Sequence, residues 1–418
     1  MAREPSRVGS VRLTRSRRMN RYAIKMLFGD SAKFYGILLG LGFASLLIAQ
    51  QASIFVGLMS RTFAFIGEVG HVDLWVFDPT QSYVDEPKPL RTTALERVRG
   101  VTGVEWAAPL YKGLLVATLP DGSRQVCDVI GIDDDTLAGG PVEVVAGSLA
   151  DLRQPDAVMV EVGSSQQQLR FPAELAPGTV PAPGQVFRRG DPKRSVEIGD
   201  IIELNEHRAR VVGLVKCSET FVAAPTLYTV YSRAITFAPP TRRVMSAVLV
   251  TAVPGTDITT LAQRIRDETG LEAMPPHDYA MRTLSYWMKE TGIPINFGIA
   301  IALGFFVGVA IAGQMFYNFT LDNLRYFGAF KAMGASTWRL LSMVALQALV
   351  AGVLGLGLGL GAVSAFGLNA AGGKLAFKML WQIPLIAAVA VLVICILASV
   401  ISMWKVVRLD PADVFKGA

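Results

Sequence analysis

The sequence predicts a membrane α-helical unit of four transmembrane helices joined to a mixed α/β extracytoplasmic domain. Three observations carry this expectation. Four long stretches lack any charged side chain, basic residues collect at one set of their ends, and one long intervening segment shows period-two apolar alternation. Composition agrees: of 418 residues, 51% are apolar and 18% are charged, with mean hydropathy +0.40. Soluble domains carry about 25% charged residues.

The uncharged stretches define the spans in order. The first runs from Phe34 to Ser60, between Lys33 and Arg61. The second lies between Glu290 and Asp322, with its apolar centre at Ile293 to Phe316. The third runs from Leu340 to Gly373 and includes a loop; the fourth runs from Met379 to Trp404. Each exceeds the roughly 20 residues that cross a bilayer. A buried core helix accounts for any one of them, but not for four with charged boundaries. The expected spans are 33–61, 290–318, 340–368 and 379–404, with 369–378 as a short outer loop.

Basic residues set the orientation. Arg3, Arg7, Arg12, Arg15, Arg17, Arg18, Arg21 and Lys25 precede the first span, in a segment taken as 1–32. Arg325, Lys331 and Arg339 lie between spans two and three, and Lys405, Arg408 and Lys416 follow span four, in a tail taken as 405–418. Such residues stay on the cytoplasmic side. Both termini are therefore expected inside a bacterial inner membrane, with residues 62–289 outside. The first span, too long for a removable signal peptide, reads as a signal anchor. The net charge of +6 belongs to this tail and these turns, and implies no nucleic-acid partner.

Period-two patterns mark strands at Val72–Phe77, Leu114–Leu119, Ala157–Val162, Asp200–Leu204, Ala209–Val215 and Ala247–Val253. Asp121-Gly122 predicts a hairpin. Phe171 to Pro192, crowded with Pro and Gly, reads as a loop or connection between lobes. An internal repeat adds organisation. Thr92–Pro109 and Thr259–Pro276 align without gaps, sharing the leading Thr pair, Arg97/Arg99 with Arg264/Arg266, and Thr102-Gly103 with Thr269-Gly270. Each contains an amphipathic helix, with Leu95 and Val98 or Leu261 and Ile265 inward, a Thr N-cap, and Gly103 or Gly270 as the stop. Two βαβ-like units are therefore expected in a membrane-proximal lobe of 62–125 and 231–289, with 126–230 as a strand-rich distal lobe.

Catalytic signatures are missing. His71, His207 and His277 lack metal-ligand spacing, and neither HExxH nor GxSxG occurs. Asp133, Asp134 and Asp135 read as a solvated turn. The stretch Gly367 to Lys374 is no phosphate loop, because Gly373 stands where the lysine belongs. No intramembrane acids or bases suggest an ion path. Cys395 falls in the fourth span; Cys127 and Cys217 lie outside, and their spacing is compatible with either a disulfide or separate thiols. Neither metal nor cofactor is expected in this chain.

The segment 319–339 reads as a short cytoplasmic helix along the membrane face. Here Arg325, Gly328, Lys331, Ala332, Gly334 and Ala335 follow the pattern Arg-x-x-Gly-x-x-Lys-Ala-x-Gly-Ala. In this pattern the chain resembles ABC-transporter permeases of the MacB/FtsX type. The closing Arg408-Leu-Asp410-Pro411 resembles that family's C-terminus, and the first span resembles its DevC branch of envelope exporters. The family often carries Glu where this chain has Tyr326. The resemblance implies that Asp322 to Ala335 form a coupling helix docked on a separate ATPase subunit, which binds the ATP and Mg. It further implies a second permease copy and a periplasmic adaptor of membrane-fusion type. The expected function is export of a lipid, lipoprotein or amphiphile, with FtsX-like control of a cell-wall hydrolase as the alternative. Glycines four apart (Gly36/Gly40, Gly304/Gly308, Gly355/Gly359 and Gly357/Gly361) are expected to permit close helix packing.

Overall fold

The computed structural model describes residues 21–407, apart from 71, 87, 182–184, 189 and 371–374. The arginines from Arg3 to Arg18, His71, Gly372 to Lys374 and the motif Arg408, Asp410 and Pro411 lie outside the described residues. The chain forms two compact units, residues 1–57 with 292–418, and residues 58–291.

A helix over residues 21–29 (α1) precedes the first span, α2 (Ser31–Arg61). The basic N-terminal segment was expected only as a topology signal, yet Ala23 and Leu27 of α1 are fully buried.

The second unit is a mixed α/β domain. It begins with α3 (Ala64–Glu68), β1 (Leu74–Phe77), α4 (Thr92–Arg99), β2 (Val104–Thr118), β3 (Arg124–Ile132) and β4 (Glu143–Ala146). There follow β5 (Ala157–Glu161), α5 (Val162–Gln167), β6 (Arg170–Pro172), β7 (Lys193–Ser195), β8 (Ile201–Leu204) and β9 (His207–Lys216). The domain closes with β10 (Thr226–Val230), α6 (Tyr231–Phe237), β11 (Ala247–Ala252), α7 (Ile258–Thr269), β12 (Glu272–Met274) and α8 (Pro276–Lys289). Every expected strand is present. Asp121-Gly122 closes the β2–β3 hairpin, where Gly122 takes a φ of +72° and its N–H donates to Leu119 O at 2.8 Å.

The repeat is a structural one. The sheet runs β12-β1-β11-β2, all neighbours antiparallel, so β1-α4-β2 and β11-α7-β12 are split βαβ units, each receiving a strand of the other. Ala94 and Val98 of α4 and Leu261, Ala262 and Ile265 of α7 share one core with Leu74, Val76, Val248 and Val250. The opposite face is covered by Phe65 and Ile66 of α3 and Tyr279 and Ala280 of α8, packed around Trp75, Phe77 and Leu249. The expected Thr caps are not used. Arg91 precedes α4 without a side-chain cap, and Asp257 caps α7 by accepting from Thr260 N at 2.8 Å. Asp is the better-placed acceptor because Thr259 and Thr260 already lie inside the first turn. Gly270 (φ +67°) stops α7 as expected, whereas α4 stops at Gly100, before Gly103.

From β2 the pairings continue through β3, β10, β5 and β9, and β8 joins β9 back to β2. Six strands thus close a circuit around a core that includes Leu115, Val129, Val160, Val211 and Leu227. Each strand of the circuit has a neighbour on both sides, while β12 and β4 end the strand order. The boundary expected at 125/126 falls inside β3. The 15-residue β2 makes such a division impossible, since its first half pairs with β11 and its second half with β3. Cys127 and Cys217 are free thiols; burial pushes the Cys127 pKa up to about 12.

The remaining helices are α9 (Ile293–Asp322), α10 (Leu324–Ala332), α11 (Thr337–Ala370) and α12 (Gln382–Val407). With α2, the helices α9, α11 and α12 are long and apolar enough to cross a bilayer. A helix satisfies its own backbone groups, which lipid cannot. Gly36 and Gly40 meet Met315 and Ile311 of α9, and Gly308 and Gly304 meet Ala44 and Leu47 of α2, so the two pairs follow one another along one antiparallel contact. A Cβ at Gly40 would lie 2.5 Å from Ile311 Cγ2, and one at Gly308 2.6 Å from Ala44 Cβ. Gly355 and Gly359 press on α2, where a Cβ would lie 2.7 Å from Leu41 Cβ and 2.5 Å from Gly42 O, respectively. Gly357 and Gly361 do not follow the expectation, having nothing within 4 Å. Two residues advance a helix by about 200°, which puts this pair on the opposite face. Polar side chains add links between spans: the Thr320 and Ser402 hydroxyls hydrogen-bond, and Cys395 Sγ donates to Ala348 O at 3.2 Å.

Candidate functional site

The connection between α9 and α11 carries the motif singled out in the sequence, and its geometry follows from local rules. At the end of α9 the side chain of Asn323 donates to Phe319 O at 2.8 Å and breaks the helix. The nine-residue α10 begins at Leu324. Its apolar stripe, Leu324, Phe327 and Phe330, follows helical spacing. Phe327 is 1% exposed and shares a core with Ala23 of α1 and Leu340, Met343 and Val344 of α11. Gly328 is buried beside it. Gly334 ends α10 with a φ of +84°. Its N–H donates to Lys331 O at 3.0 Å, and Ala335 N–H to Phe330 O at 2.9 Å. These two bonds make a Schellman motif, with Ala335 supplying the apolar contact that accompanies it.

The expected helix from Asp322 to Ala335 is therefore shorter at both ends. Asp322 is the last residue of α9, and Ala335 follows the turn. Asp322 forms an ion pair with Lys33 of α2, whose Nζ also lies 2.7 Å from Asp30. Arg325 and Tyr326 are exposed on α10, Tyr326 at 61%, while Lys331 is half-buried. The motif residues thus separate by task. Arg325 presents charge, Gly328 and Ala335 pack, and Gly334 turns the chain.

The sequence reading missed α1. It packs beneath α10, and Gln347 Nε2 of α11 donates to Ala23 O at 2.8 Å. A groove of about 610 Å³ between them is lined by Tyr22, Lys25, Asp30, Asp322, Tyr326 and Phe330. The apolar spacing Ala23, Met26, Leu27 was the available signal, hidden among arginines. An exposed basic and aromatic face on a short helix fixed between two spans can seat in a partner's groove and shift both spans together. Among the described residues no group of three or more His, Cys, Asp or Glu is placed to hold a metal.

Residues 36–268 match the MacB-like periplasmic core domain, and residues 298–411 match the FtsX-like permease C-terminal domain. The chain belongs to the ABC transporter permeases of the MacB/FtsX type. The second match takes in α10 and its Gly334 turn. The permease is 27% identical over 232 residues to an ABC transporter permease of Mycobacterium tuberculosis strain H37Rv, covering 53% of this chain and 58% of that one. It is 26% identical over 231 residues to one of Mycobacterium bovis, with the same coverage. The alignment thus spans 58% of the length of these curated relatives. Among solved structures, the periplasmic region of MacB from Actinobacillus actinomycetemcomitans is 12% identical with a TM-score of 0.36, covering 52% of this permease and 94% of that chain. The extracellular domain of the ABC-type transporter YknZ from Gram-positive bacteria is 13% identical with a TM-score of 0.32, covering 49% and 98%.

Proposed function

We propose that this permease couples ATP hydrolysis in a separate ATPase subunit to movement of its α/β domain on the far side of a bacterial inner membrane. Both termini and α10 face the cytoplasm in this reading, which the basic residues at those ends support. The observation that carries it is α10 itself. Its aromatic side is anchored by Phe327, Arg325 and Tyr326 are presented outward, and Gly334 turns the chain directly into α11. The ATPase binds the ATP and Mg; this chain is the non-catalytic member. Two permease copies and a periplasmic adaptor complete the assembly, which exports a lipid, lipoprotein or amphiphile.

Purification of the complex from native membranes tests this reading. An ATPase and an adaptor are expected to accompany the permease, whereas a cell-wall hydrolase regulator in their place would assign it to signalling. Gly334→Pro is expected to abolish permease-stimulated ATP hydrolysis while membrane insertion persists. Proline holds φ near −65° and lacks the N–H that Gly334 donates to Lys331 O. Full ATPase stimulation in that variant removes the coupling role from α10.

A further inference from the structure

The α/β domain holds a buried ionic cluster that coupling through α10 does not use. Lys112 on β2 is 7% exposed, and its Nζ lies 2.6 Å from Asp128 Oδ2 on β3. The same Nζ lies 2.7 Å from Asp85 Oδ1, in the segment between β1 and α4. The Phe65 ring lies 5.4 Å from the ammonium. Asp128 is 2% exposed, and its other oxygen, Oδ1, is buried with no hydrogen-bond partner among the described residues. Lys112, Asp85 and Asp128 line a cavity of about 390 Å³, within the size range of small-molecule sites. Leu114, Val222 and Val244 line its apolar part, and the exposed Arg242 also borders it.

The charges decide what fits. Two carboxylates share one ammonium, and a buried carboxylate oxygen without a donor is unfavourable. An anion placed beside Asp128 meets two carboxylates against one ammonium, because Arg242 lies at the exposed border of the cavity. A metal ion finds the position between the two carboxylates already taken by Lys112. A cationic N–H donor both satisfies Oδ1 and balances the cluster, while the apolar walls favour an organic body behind it. We propose that this cavity binds a small organic compound carrying a primary ammonium group, which donates to Asp128 Oδ1 while its apolar part lies against Leu114, Val222 and Val244. The site stands independently of how α10 works, so its test involves no ATPase.

Burial raises the pKa of Asp128, and Asp85 pushes the same way, against the pull of Lys112. Arg242 is the further charge at the cavity, while Tyr111, Tyr228, Cys127 and Cys217 have pKa values raised by burial and stay neutral. Ammonium binding needs ionised Asp128, so affinity should fall as pH is lowered through its free-state pKa.

The experiment titrates the full chain in phosphatidylcholine nanodiscs with phenethylamine, 2-phenylethanol and 3-phenylpropionate, followed by saturation-transfer NMR. Phenethylamine is expected to bind at least tenfold more tightly than the alcohol or the acid, and to weaken at low pH. Asp128→Asn should reduce its affinity at least tenfold. Leu114→Trp, at a 42% exposed position on the cavity wall, should block binding without changing thermal unfolding. If Asp128→Asn does not fold, Leu114→Trp decides alone. Displacement of phenethylamine by phosphatidylethanolamine in the nanodiscs assigns the ammonium to a lipid headgroup, and no displacement to a soluble amine. Equal binding of all three compounds, no amine binding, or unchanged affinity in Leu114→Trp overturns the proposal.

Discussion

At the scale of residues, identical sequence spacing leads to opposite outcomes. A Cβ at Gly359 would lie 2.5 Å from the Gly42 carbonyl, whereas Gly357 has open space around it. Gly359→Leu is expected to destabilise the helical unit by about 1–3 kcal/mol or more through overpacking. Gly357→Leu should leave thermal unfolding in detergent unchanged, and equal effects of the two substitutions would contradict the assigned faces. The spacing was legible in the sequence; the partnered face was not, because helical phase says nothing about which neighbour arrives. Lys112 was not legible either, since its role needs β2, β3 and the Asp85 segment brought together. Burial opposes its charge, but attraction to Asp128 and then Asp85 outweighs this and holds its pKa above the ordinary value. Lys112→Met leaves two carboxylates without their cation, at a cost of about 3–5 kcal/mol. Asp128 has a raised native pKa, so between the ordinary carboxylate value and the raised one its native form binds the proton more than the unfolded form does. Stability therefore falls as pH rises from the ordinary carboxylate value through the raised one. Removing Lys112 takes away the opposing pull and widens that window. Denaturation curves should show the variant's deficit larger at pH 8 than at pH 5, and a pH-independent deficit would refute this account.

At the scale of elements, α10 combines an anchored side with a presented one. Phe327→Ala is expected to loosen it by about 3–5 kcal/mol, the usual range for a buried Phe, and to lower both thermal stability and ATPase stimulation. Arg325→Ala, on an exposed position, should leave the melting temperature unchanged while lowering stimulation. A matching loss of stability in both variants would mean that Arg325 only packs. The motif itself was readable from Arg325 to Ala335, but the ends of the helix were not. Asn323 breaks the chain through a side-chain bond to Phe319, and no proline announces the change. Gly334 did carry a stop signal, and Ala335 belongs to the turn it creates rather than to the helix. Ahead of α1 the run of arginines favoured a purely electrostatic reading and obscured a short amphipathic pattern.

At the scale of the whole molecule, alternation revealed strands one at a time, because half-buried strands write their own periodicity. Pairing was out of its reach: Trp75 lies opposite Leu249 on one side and Met274 on the other. Only the repeat hinted at interleaving, since two similar units invite mutual exchange. The shared β2 binds the two halves of the α/β domain into one cooperative body. Ile265→Ala, in the core under α7, and Leu227→Ala, in the six-strand circuit, should each cost about 2–5 kcal/mol. Hydrogen exchange on the full chain is expected to show both substitutions lowering protection across the entire domain. Protection lost in only one half would show that β2 does not unite them.

The order β12-β1 has a mechanical consequence. The chain enters the sheet through β1, after α3, and leaves it through β12, before α8, and these are antiparallel neighbours joined at Trp75↔Met274, Val76↔Ala273 and Phe77↔Glu272. The incoming and outgoing strands therefore carry their external connections at the same end of one ladder. A pull delivered equally to both reaches the sheet as common tension and leaves the ladder unloaded. A pull delivered to one alone peels three residue pairs apart in sequence, which is the weakest direction in which a β-ladder can be stressed. A ladder so attached would pass on concerted displacement of its two ends and yield to unequal displacement.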